Sequence, residues 1–122
     1  MNRKYFIESI KTEVRDSAID SMLKKLRKPT GRSPRLSDVE NSIFFNDLSD
    51  ESKKYIERII AKSVDFSIFG FLCVLDHVRF LEDVGEKTTF ELYAVKNGER
   101  ILLNDFSKED LHDVYNEIIQ EN

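Results

Sequence analysis

The chain has 122 residues, of which 40% are hydrophobic and 34% charged, so it is long enough for one domain with a modest core. Its single cysteine excludes an intramolecular disulfide and any metal site built from several cysteines. The first residues are too charged for a signal peptide, and no apolar run approaches the roughly 20 residues that cross a bilayer. We therefore expect a cytoplasmic protein that does not bind membranes.

Charge is distributed unevenly along the chain, whose net charge is −4. Residues 1–35 contain ten Lys or Arg and four Asp or Glu, a net charge of +6, whereas residues 36–122 contain nine and nineteen, a net charge of −10. This polarity is typical of a protein that binds a charged partner, and equally of one whose own two parts attract each other. The sequence leaves both alternatives open.

The first predicted element is an amphipathic helix over residues 2–27, in which apolar residues recur at steps of three and four. Pro29 should end it, because the residue before a proline is disfavoured in helical geometry. Residues 28–42 contain both prolines and four Ser or Thr residues, which predicts a basic, polar loop between the first and second helical regions. The apolar group from Ile43 to Phe45 is expected to enter the core as a turn or a short helix.

The second helical region should begin after Ser49, which is a suitable N-cap followed by two acidic residues. One apolar face extends as far as Val78, and a second apolar face in the latter half predicts a long central helix covered on more than one side. Gly85 is the expected terminator. A break between Asp65 and Ser67 would divide this helix in two, and the sequence does not decide whether it is broken.

A β-hairpin is predicted around Asn97-Gly98, the preferred pair for a two-residue type I′ turn. With that turn Lys96 faces Glu99, and the apolar face of the hairpin should pack on the helices. Ser107 is expected to cap a C-terminal helix. Together these elements predict an α+β domain spanning residues 1–122, with an N-terminal helix, a long central helix, a two-stranded antiparallel hairpin packed on the helices and a C-terminal helix.

The stretch FGFLCVLDHVRFLED, from Phe69 to Asp83, contains the densest group of potentially reactive side chains in this sequence. On a helix Cys73 and His77 would share one face, as in a nucleophilic dyad. However, reactive cysteines need an open, electropositive site, and this cysteine lies in an apolar run. We therefore predict a buried, structural Cys73, with Asp76 and Arg79 at the solvent-exposed edge of the helix.

A metal site would require two distant Asp-His pairs, Asp76 with His77 and His112 with Asp113, to converge. Their spacing does not indicate this, and His112 is expected on the solvent face of the last helix. Phosphate-binding, zinc-protease and serine-hydrolase motifs do not occur in the sequence. We predict no catalytic residue, no metal ligand and no cofactor.

Two charged sets are the candidates for binding a partner. The first is a basic run that contains no acidic residue and could contact nucleic acid, another anion or an acidic protein, although cations at the end of a helix also stabilise it. Its members are Lys24, Lys25, Arg27, Lys28, Arg32 and Arg35. The second is an acidic set near the hairpin and last helix, comprising Glu91, Glu99, Asp105, Glu109, Asp110 and Asp113.

The order FGFLCVLDHVRFLED, ELYAVKNGERILLND, LHDVYNE resembles small bacterial proteins of unknown function, which implies a bacterial origin and carries over no functional residue. Three functions remain as hypotheses. The first is a non-enzymatic protein-interaction module, similar to an immunity protein or an antitoxin, that masks a basic protein. The second is nucleic-acid or anion binding through residues 24–35, and the third is a small enzyme that uses Cys73 and His77. Homodimerisation is also open.

Overall fold

The computed structural model describes residues 1–120 and confirms the α+β fold class, with an N-terminal helix, a long central helix, an antiparallel hairpin and a C-terminal helix. The elements are α1 (Arg3–Ile10), a π-helical stretch (Lys11–Asp16), α2 (Ser17–Arg27), α3 (Leu36–Asn46), α4 (Asp50–Leu75), β1 (Tyr93–Lys96), β2 (Glu99–Leu102) and α5 (Leu111–Ile119).

The N-terminal helix runs almost as predicted, because α1, the π-helical stretch and α2 follow one another without a gap. Asn2 caps its start, and its side-chain oxygen accepts a hydrogen bond of 2.8 Å from the Tyr5 amide. The π-helical stretch was not predicted. In the predicted apolar stripe, Val14 and Ala18 are exposed, whereas Ile7 and Leu26 are buried.

The predicted loop over residues 28–42 is too long, because α3 begins at Leu36. A proline restricts the residue before it and leaves the residues after it free to form a helix. Of the three apolar residues expected to enter the core, only Phe45 does so, with 2% of its surface exposed. Ile43 and Phe44 lie on the outer side of α3 and are 67% and 62% exposed.

The central helix α4 is continuous through residues 65–67, and it ends at Leu75 rather than near Gly85. The backbone of His77 is left-handed, with φ of 62°, and the amides of Val78 and Arg79 donate to the Cys73 carbonyl. A left-handed residue just past a helix is the usual terminator, but it is commonly glycine. Because histidine rather than glycine occupies this position, the early end of α4 could not be predicted from the residue type.

The hairpin has the predicted register, in which Lys96 pairs with Glu99 and Ala94 with Ile101. Asn97 and Gly98 both have positive φ values, 52° and 81°, as a type I′ turn requires. Pairing continues beyond the strands, since the Leu103 amide donates to the Leu92 carbonyl at 2.8 Å. Ile101, on the face expected to pack on the helices, remains 42% exposed, so that face is only partly covered.

The described chain divides into two compact units. The terminal unit combines Met1–Val14 with the residues from Phe66 onward, and the middle unit is Arg15–Asp65. The single domain over residues 1–122 that the sequence indicates stays a prediction. In the terminal unit α1, the end of α4 and α5 share a core, formed by Ile7, Leu72, Leu75, Leu111, Val114 and Tyr115.

The middle unit brings α2 against α3 and includes the first part of α4. The Asn46 side chain donates to the Arg27 carbonyl at 3.0 Å and to the Ser42 hydroxyl at 3.2 Å. Asn46 thus satisfies a carbonyl at the end of α2 that has no helical partner. At the limits of this unit, the Arg15 guanidinium contacts Asp65 at 2.7 Å and Asp16 at 2.9 Å.

In the terminal unit, buried Asn104 joins the hairpin to the end of α4. Its side-chain amide nitrogen donates to the carbonyls of Leu75 and Phe90, each at 2.7 Å, and its oxygen accepts from the Leu92 amide at 2.8 Å. One side chain therefore satisfies three backbone groups from two segments.

Replacement of this side chain should destabilise the protein strongly. Asn104→Ala leaves buried backbone groups without partners, and we expect the free energy of unfolding to fall by about 2–4 kcal/mol. Urea denaturation followed by circular dichroism measures the change, with Asn41→Ala at an exposed position of α3 as the control. Equal stability of the two variants would contradict this role for Asn104.

Candidate functional site

The candidate site is built around the buried carboxylate of Asp76, which follows α4 and is 6% exposed. Its carboxylate accepts hydrogen bonds from the backbone amides of Leu111 at 2.9 Å and His112 at 2.8 Å. It also lies 2.6 Å from Nδ1 of His112. A carboxylate from another part of the chain thus caps the start of α5, where the helix dipole favours negative charge.

This arrangement corrects three expectations from the sequence. Asp76 is buried rather than at a solvent-exposed edge, and the His112 side chain is only 14% exposed rather than on the solvent face. Ser107 does not cap the last helix; its amide and hydroxyl donate to Asp105, and this lowers the pKa of the Asp105 carboxyl. The Arg79 guanidinium lies beside Gly70. A Cβ added at Gly70 would be 2.5 Å from that guanidinium.

The pairing of Asp76 with His112 is half of a familiar catalytic arrangement, in which a carboxylate orients an imidazole. The other half would be a nucleophile or substrate at Nε2. That atom instead lies 3.5 Å from a carboxylate oxygen of Asp113, and the ring edge packs on Phe69 at 5.3 Å between centroids. The geometry orients His112 and supports the fold without presenting a nucleophile.

A metal ion would find three potential ligands in Asp76, Asp110 and His112, whose ligand atoms lie within 4.8 Å of one another. However, the Asp76 carboxylate already accepts two backbone amides and contacts the His112 ring. A cation there would compete with the cap of α5. The donor set fits a structural cap better than a metal centre.

Cys73 and His77 do not form the dyad that a continuous helix would have made. The Nε2 atom of His77 lies 2.8 Å from the Phe90 carbonyl oxygen and 3.1 Å from its amide nitrogen, and the ring packs on Phe106. Cys73 is 5% exposed, and burial raises the pKa of its thiol. A raised pKa disfavours the thiolate, which is the reactive form.

Three carboxylates follow one another at steps of four residues at the last helix, the first just before α5 and the other two on it. We define the acidic face as Glu109, Asp113 and Glu117, all exposed. A hydrogen bond with the Glu109 side chain raises the pKa of Glu117, and the negative charges of Glu109 and Asp113 raise it further. Glu117 was missed in the sequence analysis, although its spacing from Asp113 would have identified it.

The remaining acidic candidates are dispersed or engaged within the hairpin region. Glu91 accepts a hydrogen bond of 2.6 Å from the Tyr93 hydroxyl, which raises the pKa of that tyrosine. Glu99 faces Lys96 across the hairpin. Asp105 accepts from Ser107, and Asp110 precedes α5 without capping it through its side chain. Only Glu109 and Asp113 of the predicted set belong to the acidic face.

The basic candidates are partly neutralised within the middle unit. Lys24 pairs with Asp20 at 2.9 Å, and Arg27 pairs with Glu57 at 3.3 Å. Lys25 is exposed on the last turn of α2, where cations stabilise the helix end, and Lys28 follows that end. Arg32 and Arg35 are exposed in the connection to α3.

Burial of Cys73 makes its reactivity a direct test of a catalytic role. We expect the thiol to be alkylated by iodoacetamide at least about tenfold more slowly in the native protein than in urea. Mass spectrometry of timed samples measures this difference, with glutathione as a fully exposed reference thiol. Native labelling at the rate of glutathione would revive the nucleophile hypothesis.

Removal of the Asp76 charge should weaken the docking of α5. Asp76→Asn keeps the size of the side chain but loses the charge at the helix start and an acceptor for one N–H, so stability should fall by about 2–3 kcal/mol. Urea denaturation measures the loss. Asp83→Asn, at an exposed site a few residues away, is the matched control and should have little effect. A similar loss in both variants would count against the cap.

Comparison with known proteins adds no identity: no family model, no curated protein and no solved structure matches this chain. Within residues 1–120, no helix combines the length and apolar character needed to cross a membrane.

Proposed function

We propose that this chain is a non-enzymatic protein-interaction module, similar to an immunity protein or an antitoxin, whose acidic face binds a basic protein. The single observation that carries the proposal is the row of three exposed carboxylates, Glu109, Asp113 and Glu117, at the start and along the outer side of α5, where Glu109 and Asp113 both raise the pKa of Glu117. Like charges held together on an exposed surface do not help folding. A partner that supplies cations would relieve this repulsion.

The distribution of charge between the two units supports a basic partner for the terminal unit. The middle unit contains eleven Lys or Arg and nine Asp or Glu, a net charge of +2. The rest of the chain contains eight Lys or Arg and fourteen Asp or Glu, a net charge of −6. A concentrated negative field accelerates the encounter with a basic protein and disfavours nucleic acid.

Apolar surface in the same unit supports a contact that lasts beyond the encounter. A groove of about 400 Å³ lies between α1 and the second half of α4, and almost all of its lining is apolar. Phe71, on its wall, is 60% exposed. Interfaces combine apolar cores with polar rims, so an acidic surface and an apolar groove in one unit suit protein binding.

The other two hypotheses have less support from the geometry. A thiol that is buried and has a raised pKa is a poor nucleophile. The basic run pairs two of its six cations with acids of the chain itself, and no aromatic residue is interleaved among them to stack on bases.

Neutralising two members of the acidic face should reduce binding without harming the fold. The variant combines Glu109→Gln with Glu117→Gln; the control combines Asp83→Asn with Glu86→Gln, two exposed sites in the same unit that give the same charge change. Tagged proteins capture partners from lysate with and without nuclease treatment, and calorimetry then measures the affinity of each purified partner. We expect Kd to rise about tenfold for the first variant only.

Stability separates a loss of binding from a loss of folding. The raised pKa of Glu117 means that its charged form is less favourable in the folded than in the unfolded chain. The Glu109→Gln, Glu117→Gln variant should therefore unfold at an unchanged or higher temperature. Equal capture by both variants, or capture that disappears with nuclease treatment, would overturn the proposed function.

A further inference from the structure

The middle unit contains a polar cavity of about 470 Å³, a volume typical of sites for small ligands. Its walls come from the end of α2, the end of α3 and the first two turns of α4. Three of the lining residues are cations, namely Arg27, Lys53 and Lys54. Arg27 is 26 residues away from the adjacent pair Lys53 and Lys54, so the fold brings it to them.

The two lysines of this cavity are not neutralised by the protein. Among residues 1–120, neither Lys53 nor Lys54 forms an ion pair with a carboxylate. The Lys53 ammonium lies 5.7 Å from the centre of the Phe45 ring, a contact that holds the chain against the wall without cancelling its charge. Two ammonium groups on one cavity wall favour an anionic ligand.

Arg27 pairs with another residue that lines the cavity. Its guanidinium lies 3.3 Å from a carboxylate oxygen of Glu57, and both side chains are substantially exposed, at 57% and 38%. Exposed pairs of this kind contribute little free energy, so an incoming anion can replace Glu57 as the partner of Arg27. Asp50, the remaining acidic residue of the lining, is the first residue of α4, where the helix dipole compensates its charge.

We propose that this cavity binds a small phosphate-bearing ligand through Arg27, Lys53 and Lys54. A phosphate monoester carries about −1.5 to −2 charges and three acceptor oxygens, which match one guanidinium fork and two ammonium groups better than a single carboxylate would. A site of about 470 Å³ has the size of a small ligand.

This site belongs to the middle unit and does not depend on the acidic face of the terminal unit. It also differs from the basic run predicted from the sequence. Only Arg27 is common to both, and Lys25 of that run does not line the cavity. The two sites can therefore be tested separately.

The test titrates the full chain with sodium pyrophosphate by isothermal calorimetry, with sodium sulfate at equal ionic strength as the reference anion. The Lys53→Gln, Lys54→Gln variant should lose at least about tenfold in pyrophosphate affinity. The control combines Lys25→Gln with Lys62→Gln, which removes the same charge outside the cavity, and it should bind like the original chain.

Glu57→Gln provides a test in the opposite direction. Because Glu57 competes for Arg27, its neutralisation should tighten pyrophosphate binding about fivefold. A gain in affinity cannot result from misfolding, so this variant keeps the proposal falsifiable if the lysine variant unfolds. Unchanged or weaker binding by Glu57→Gln would overturn the exchange of partners at Arg27.

Three further outcomes would overturn the site. The first is no pyrophosphate binding up to about 10 mM, the weakest affinity of interest for a specific ligand. The second is sulfate binding as tight as pyrophosphate binding, which would mean non-specific anion attraction. The third is binding only of a single-stranded oligonucleotide, with an affinity that falls equally in the lysine variant and its control, which would return the function to the basic run.

Discussion

The buried carboxylate of Asp76 is the constraint that fixes the terminal unit. A buried charge is costly unless it is fully hydrogen-bonded, and here two amides, an imidazole nitrogen and the positive end of α5 surround it. These donors exist only if α5 begins at Leu111 and lies against the end of α4. The start of the last helix is therefore determined by a residue 35 positions earlier in the chain, and not by the nearby Ser107.

Asp76 and its two neighbours, Leu75 and His77, connect the end of α4 both to α5 and to the hairpin region. The Leu75 carbonyl accepts from Asn104, Asp76 caps α5, and His77 contacts the Phe90 backbone. All three contacts require α4 to stop at Leu75, since a further helical turn would carry these groups away. The stretch that looked most like a catalytic centre is thus the point at which the terminal unit is assembled, and its polar residues are used for that purpose.

Local signals explain which elements could be predicted. The turn chemistry of Asn97-Gly98 and the apolar spacing of residues 2–27 act over a few residues; the hairpin appears as expected, and the N-terminal helix does so except for its π-helical stretch. The early end of α4 depends on a left-handed histidine, and the cap of α5 depends on a distant carboxylate. Arg27 and Lys53 line one cavity only because the chain folds so that the end of α2, the end of α3 and the start of α4 come together. These features arise from tertiary contacts, which spacing in a sequence does not reveal.

Of the carboxylates around α5, one stabilises the folded state in its ionised form and another opposes it. The carboxylate of Asp76 accepts donors that exist only in the folded state, whereas Glu117 faces two other acids and its pKa is raised. For a group whose folded pKa is raised, the ionised form opposes folding, so stability falls as the pH rises through that pKa. Folding alone gives no reason to place Glu109 and Glu117 in contact on an exposed surface. A cationic partner would reverse the sign of their contribution, which is why the acidic face, rather than the buried pair of Asp76 and His112, supports a binding function.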